Sequence, residues 1–439
     1  MAILAQGTQP EVGRLPGRKE HSVVSQKHYT TSVIRTLDQF AALASPWDAL
    51  LDAAEEVNIS LRHAWLQLWL STFKHAELMV IIVQDDEERL MAAAPLVVSR
   101  NDSGLFCRAL RRLQFIGTSP EVYDWMKILQ HPEVDVDSAF RLLGEQLIRN
   151  RARWDIADLR YIESQVQLTA LHRLISPIAQ ESQISQPMTI PYIDLPEDWE
   201  AYPPALRKKK YQSDLNRIRN HIRNDFHVED AELIVHQPGE VSDRQLAQFV
   251  NFHRDYWQAR GCRTEAARHP KLLDFFTQAY REFSRERSEQ KNGGGPVFEF
   301  STLALGGETV SYHFDIQTPH GCMGYLSCYD QQAKKYRPGI LHIEALIART
   351  HRLGGRRFEF GRGDEHYKNQ WHIEKKPLWN LLAFRTPLAR LLWQLDETLK
   401  NLEVLKTLKA RLTNGTTAHD SNAHSSTVKS DTSAPDPAN

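Results

Sequence analysis

Ser311-Tyr312-His313-Phe314-Asp315, Gly324-Tyr325-Leu326-Ser327-Cys328-Tyr329-Asp330, Lys335-Tyr336-Arg337-Pro338-Gly339-Ile340-Leu341 and Phe358-Glu359-Phe360-Gly361-Arg362-Gly363-Asp364-Glu365-His366-Tyr367-Lys368 make up the densest stretch of this chain. It reads as a strand running into a Pro-Gly turn, and the turn into a helix, Ile340 to Leu353, stopped by Gly354. The first turn of such a helix presents unpaired backbone N–H groups and the positive end of its dipole. Gly339 lacks a Cβ, so a ligand can approach the backbone there. Lys334, Lys335 and Arg337 add positive charge. A phosphate or pyrophosphate cradle fits this pattern. An ordinary strand-to-helix turn with solvated lysines is the plainer alternative.

Outward from this stretch, Val297–Leu305 and Thr309–Ile316 predict a hairpin across Gly306-Gly307-Glu308, followed by strand Met323–Tyr329 and, after the helix, strand Arg357–Phe360. Upstream, Ser242 to Gln245 is a capping-box pattern, and Pro270 opens a helix with Leu272, Phe275, Phe276, Ala279 and Phe283 on one stripe. The first half repeats the order. A helix carries Trp65, Leu68 and Trp69; strands follow at Leu78–Val83, Leu90–Val98 and Arg112–Ile116; then come helix Val136–Arg149 and strand Asp155–Ile162. Ser182–Pro187 reads as the linker between halves. After it come strand Met188–Leu195 and a basic helix with Arg207, Lys208, Lys209, Lys210, Arg217, Arg219 and Arg223. The expected organisation is a disordered segment 1–30, units at 31–187 and 188–396, a helix end at 397–412 and a disordered tail at 413–439. That tail is too poor in apolar residues to offset its ordering entropy.

With 439 residues there is length for two or three domains. Lys and Arg number 54 against 55 Asp and Glu, so net charge names no partner and any anion site must be local. The longest aliphatic run, Leu78–Val83, is far short of the ~20 residues a membrane span needs. The N-terminal residues are polar and show no secretion signal. The 4 cysteines show no metal-ligand spacing, so no metal is expected and a reducing cytoplasm is the default location.

Residues 325–371 resemble the bacterial CelD/BcsL, or BioF2-like, acyltransferases of the GNAT superfamily. The likeness rests on Tyr329-Asp330, the Tyr336–Leu341 turn, Gly354, the aromatic strand Phe358–Gly363, the pair Tyr367-Lys368, and Trp371. Upstream, Leu206–Arg223 resembles the family's basic helix, and His253, Tyr256, Trp257, Arg260 and Gly261 its next helix. A looser likeness covers Trp47–Leu96. The resemblance implies an α/β (α+β) GNAT-like fold in two tandem units with mixed sheets, a doubling also found in the related FemABX transferases. It implies transfer of an acyl group, acetyl above all, from acyl-CoA to an amine or hydroxyl, on a polysaccharide, cellulose or envelope precursor. One departure stands out: Arg337-Pro338-Gly339 offers a single glycine where many GNAT enzymes have more, and Pro338 lacks a donor N–H.

Acyl transfer needs an acceptor relieved of a proton, a polarised carbonyl and a proton for the leaving thiolate. His313 is a candidate base, or a satisfied sheet histidine. Asp330 can take a proton or cap the next turn. Tyr367 can protonate the thiolate and Lys368 can meet a phosphate or the acyl oxygen; alternatively Tyr367 packs on Trp371 and Lys368 is solvated. Arg337, Gly339, Ile340, Leu341 and Lys335 are the expected donor-binding residues. Asp364 and Glu365 can orient an acceptor or cap a helix. The basic helix can bind tRNA, as a FemABX-like aminoacyl-tRNA-dependent transferase would, or be a solvated face. A non-catalytic glycan-binding module is the third reading. Trp65, Trp69, Trp257 and Trp371 read as core. The leucines from Leu388 to Leu402 read as an amphipathic cover or an oligomer seam.

Overall fold

The structure, a computed structural model, describes residues 28–73, 76–100, 105–202, 206–237, 239–259, 271–289, 295–399 and 401–402. Most of the N-terminal segment, the tail, Arg260, Gly261 and Cys262 lie outside the described residues, as does the side chain of Trp257.

The first half begins with β1 (Tyr29–Ile34), α1 (Leu37–Ala41), α2 (Ala44–Ala53) and α3 (His63–Phe73). Strands β2 (Ala76–Leu78), β3 (Val80–Asp85), β4 (Leu90–Ala94), β5 (Leu96–Arg100), β6 (Arg111–Phe115) and β7 (Leu129–Gln130) follow, then α4 (Val136–Arg149), β8 (Ile156–Ile162) and α5 (Gln165–Ile175). The two strands predicted at 78–83 and 90–98 are each broken, at Met79 and at Pro95. Pro95 has no N–H for a ladder. Each break sends its two pieces to different sheets: β3 and β4 to a four-stranded sheet ordered β1-β3-β4-β7, β2 and β5 to the large sheet.

The second half holds β9 (Glu181–Asp194), α6 (Lys209–Phe226), β10 (Glu232–His236), α7 (Asp243–Ala259), α8 (Leu272–Glu289), β11 (Val297–Leu305), β12 (Glu308–Thr318), β13 (Gly321–Tyr329), α9 (Pro338–Arg352), β14 (Arg357–Glu359) and β15 (Glu374–Phe384). Residues 387–399 form a last helix. An eleven-stranded sheet runs through both halves in the order β10-β11-β12-β13-β14-β9-β15-β8-β6-β5-β2. Its parallel pairs are β6/β8, connected through α4, and β13/β14, connected through α9. All other pairings are antiparallel, so the sheet is mixed.

The expected linker is a strand. Residues 182–187 form the first part of β9, which pairs with β15 from Glu181↔Phe384 to Tyr192↔Glu374. The boundary expected at 187/188 falls inside it. Its first part is polar on both faces and exposed, so no period-2 signal marks it. Pro187 sits where the register with β15 slips, between Ser185↔Asn380 and Met188↔Leu378; a proline inside a sheet is tolerated at such a bulge. On its other side β15 pairs with β8, Phe384↔Ile156 through Trp379↔Ile162. The last strand among the described residues thus closes the sheet of the first half.

Burial follows from these pairings. Every residue of β11 is buried, as a central strand covered on both faces requires. One core cluster spans the halves: Trp65 of α3 meets Phe275 of α8 edge-on at 5.1 Å and Phe298 of β11 at 5.6 Å. A second packs α6 and α9 around Tyr202, Phe358 and Trp371. There Arg207, buried, donates to Glu344 and Gln212, and Glu344 also accepts from Tyr202 Oη and Trp371 Nε1. Trp65, Trp69 and Trp371 are therefore core residues.

Candidate active site

β13 and β14 pair over three residues only, Gly321↔Arg357, Cys322↔Phe358 and Met323↔Glu359, and then part. The parting has two local causes. The β12–β13 register runs from Asp315↔Gly324 to Phe314↔Leu326, so Tyr325 is an extra residue and β13 bends away. On the other side the chain turns at Gly361, whose φ is +70°; a Cβ there would stand 2.7 Å from Gly324 O. Glycine is required at that close approach. The wedge between the strands opens into a cavity of about 850 Å³.

Along one side of the cavity runs the start of α9. Arg337 is its N-cap, in the left-handed region at φ 50°, and Pro338 is its first residue. No side chain caps this N-terminus. Gly339 and Ile340 line the cavity with Lys334 and Arg337. A Cβ on Gly339 would sit 3.2 Å from the Tyr329 ring, so a side chain there would narrow the passage. The equivalent helix of the first half is different. The carboxylate of Asp135 caps α4 by accepting from Ser138 N at 2.9 Å, and Asp137 follows in its first turn. That N-terminus is already supplied with negative charge.

Beneath the cavity is a buried polar chain. His313 Nδ1 is 3.3 Å from Asp315 Oδ1; Asp315 Oδ2 accepts from Ser301 Oγ at 3.2 Å; Ser301 Oγ is 3.0 Å from His342 Nε2; His342 Nδ1 is 3.0 Å from Ser311 Oγ. Ser301 Oγ donates to Asp315, and the two His342 ring nitrogens bridge Ser301 and Ser311, whose own hydroxyl donates to Cys328 O at 3.2 Å. His313 Nε2, on the other side of the ring from the nitrogen that meets Asp315, is buried and has no hydrogen-bond partner among the described residues. His313 stands on the cavity wall. Burial, with His313 beside it, holds the His342 pKa well below the usual histidine range.

The other expected residues divide. Tyr367 lines the cavity, and burial pushes its hydroxyl pKa up, so it stays protonated. Lys368 also lines the cavity, but it is 2 % exposed and committed to its own loop. Its Nζ donates to Gly361 O, Arg362 O and Gly363 O at 2.9–3.0 Å and pairs with Glu365 at 2.7 Å. It shapes the wall; it has no hydrogen left for a phosphate or an acyl oxygen. Asp330 is outside the cavity wall and takes the capping alternative, accepting from Gln332 N at 2.9 Å. Leu341 is in the core behind α9. Lys335 turns away to Asp225, at 3.0 Å. Asp364 binds Lys375 and Thr189. Lys208, Lys209 and Lys210 are exposed, whereas Arg219 and Arg223 of the basic helix pair with Asp230 and Glu229.

No motif marks the far end of the cavity. There Glu121, Tyr123, Asp124 and Tyr161 of the first half meet Arg362. Arg362 donates to Asp124 Oδ1 at 2.9 Å and pairs with Glu121 at 2.5 Å, its guanidinium 4.2 Å over the Tyr161 ring. Burial raises the Glu121 pKa despite that arginine. His253 of α7 lines the cavity as well; burial lowers its pKa to about 4, so it is neutral at pH 7. Among the described residues no cluster suits a metal ion, and no helix is long and apolar enough to cross a membrane.

A β–α–β unit in each half of one mixed sheet, with a split beside an uncapped helix N-terminus in the second, is a GNAT-like fold. Residues 212–369, within the second half, match the family described as an acetyltransferase (GNAT) domain. No curated protein matches the chain. Among solved structures, FemX superposes with a TM-score of 0.51 at 10% identity, over 82% of this chain and 99% of that one. The C-terminal domain of a putative lysylphosphatidylglycerol synthetase from Agrobacterium fabrum gives 0.47 at 11% identity, over 81% and 96%. A tandem GNAT protein from the clavulanic acid biosynthesis pathway gives 0.43 at 10% identity, over 82% and 99%. At these identities the likeness is one of fold.

Proposed function

We propose that this chain transfers an acyl group, acetyl first among them, from acyl-CoA to an amine or hydroxyl acceptor. The observation that carries the reading is the split between β13 and β14 beside the α9 N-terminus. Arg337 and Lys334 supply positive charge, the first turn of α9 supplies oriented N–H groups, and Gly339 leaves room for them to be reached. In the reaction the acceptor's lone pair attacks the thioester carbonyl carbon. A bond to carbon forms, the C–S bond breaks, and sulfur leaves with the bonding pair. His313 Nε2 takes the acceptor's proton; the Tyr367 hydroxyl gives one to sulfur. The motifs shared with CelD/BcsL and BioF2-like proteins make a polysaccharide, cellulose or envelope precursor the first acceptors to try.

Calorimetric titration with acetyl-CoA, at low and moderate salt, tests the donor. Saturable binding that survives moderate salt is expected. Absence of binding at millimolar concentration, with longer acyl-CoAs failing too, would remove this reading. The second reading, a FemABX-like transferase using aminoacyl-tRNA, is favoured by the exposed Lys208, Lys209 and Lys210. It requires salt-sensitive tRNA binding that is lost when all three become alanine.

A further inference from the structure

The cavity passes from one face of the sheet to the other. On the α9 face it is lined by Ile340 and by His313, whose ring centroid lies 4.2 Å from that of His342 of α9. On the opposite face, beneath α7 and α8, the lining is Tyr256, Leu272, Phe276, Tyr325 and Leu326. His253 of α7, neutral at pH 7, joins them. Among the described lining residues of α7, α8 and β13, none carries a charge.

The bulge in β13 creates this surface. A regular strand would send Tyr325 and Leu326 to opposite faces. Here both pack on the core beneath α7 and α8. Leu326 lies opposite Phe314, which is stacked on Phe298 and meets Phe249 of α7. Tyr325 meets Phe276 of α8 at 6.0 Å and Phe298 at 5.5 Å. At the open edge of β13 the Tyr329 ring stands 5.0 Å from Tyr256 and faces Gly339. The apolar side and the α9 turn therefore meet across one ring.

Apolar walls give water no partners. An acetyl group has the volume of about two water molecules, ~60 Å³, against about 850 Å³ for the cavity. Bound acetyl leaves these walls wet, at a cost that grows with apolar area. The cationic α9 end suits phosphates, and the charged far end suits a polar acceptor, so neither claims the apolar side.

We propose that the α7–α8 side of the cavity holds a medium-length aliphatic chain, and that this chain is the acyl group of the donor. The proposal rests on the acyl-transfer reading and extends its acyl group beyond acetyl. A donor anchored at the α9 turn carries its acyl group at its opposite tip. The chain then runs past Tyr329 through the wedge and comes to lie under α8. The bonds made and broken at the thioester are unchanged.

The test titrates the full chain with acetyl-CoA, octanoyl-CoA and n-octanol by calorimetry. Taking two methylenes out of water is worth about tenfold in affinity, so octanoyl-CoA is expected to bind at least about tenfold more tightly than acetyl-CoA. Leu326→Asp places a charge among the rings and is expected to abolish that preference. Equal or weaker binding of octanoyl-CoA by the parent chain overturns the proposal without recourse to any variant and leaves the acyl-transfer reading standing. An undiminished preference in a folded Leu326→Asp chain overturns the placement under α7 and α8. If n-octanol binds saturably while both thioesters fail, the acyl-transfer reading falls, and with it the donor as carrier of the chain, but not the aliphatic compartment.

Discussion

Two side chains and one missing side chain determine what the wedge can admit. Gly339→Leu would push atoms from the α9 turn against the Tyr329 ring, already 3.2 Å from a bare Cβ. It is expected to abolish acetyl-CoA binding in calorimetry while the far-UV circular dichroism is retained; undiminished binding would take the cradle out of the site. Lys368→Met would leave three backbone carbonyls and Glu365 without their buried cation. Hydrogen bonds to a charged group contribute about 1.5–3 kcal/mol each, so a loss of about 3 kcal/mol or more is expected in urea unfolding. A variant as stable as the parent would show that the Gly361–Gly363 turn stands without it. His313 was legible from its strand position, but its free Nε2 was not. Asp315, two residues along the same strand face, engages the other ring nitrogen, and Nε2 is buried with no partner among the described residues.

At the scale of elements, legibility follows locality. Helix Val136–Arg149 and strand Val297–Leu305 coincide with their expected bounds, because each has its own apolar period and its own stop signal. Only the first part of β9, residues 182–187, reads as a linker, because its polar, proline-bearing sequence becomes a strand only against β15, nearly two hundred residues later. The carboxylate end of the cavity was illegible for the same reason: Asp124 and Arg362 are 238 residues apart. The junction of these elements has a pH signature. Asp155, leading into β8, accepts from Arg111 of β6 and from Arg385 just past β15. Burial alone would raise its pKa, but the hydrogen bonds from Arg111 and Arg385 outweigh it and hold the value at about 2. A depressed carboxyl stabilises the fold above its unfolded pKa of about 3.9, and that contribution fades as pH falls toward 2. Asp155→Asn is therefore expected to lower stability at pH 7 and to flatten its decline between pH 4 and 2. A parallel decline in parent and variant would show the clamp to be inert.

Across the whole molecule, the halves share one sheet and one aromatic core. Trp65 of the first half is buried against Phe275, Phe283 and Phe298 of the second. Trp65→Ala should cost about 3–5 kcal/mol, and because the cluster belongs to both halves, they should unfold in one calorimetric transition. Two separated transitions in the parent chain would contradict the shared core.

The place of β15 matters for how the chain is made. During synthesis the ribosome releases the first half with β8 as an open sheet edge, and the strand that covers it, β15, emerges only about two hundred residues later. An open edge is a template for pairing with another chain. The nascent polypeptide must therefore keep that edge from strangers until residue 384 has left the exit tunnel. Messages truncated before β15 should yield aggregates in a cell-free translation system, and supplying the 374–384 peptide in trans should restore part of the soluble product.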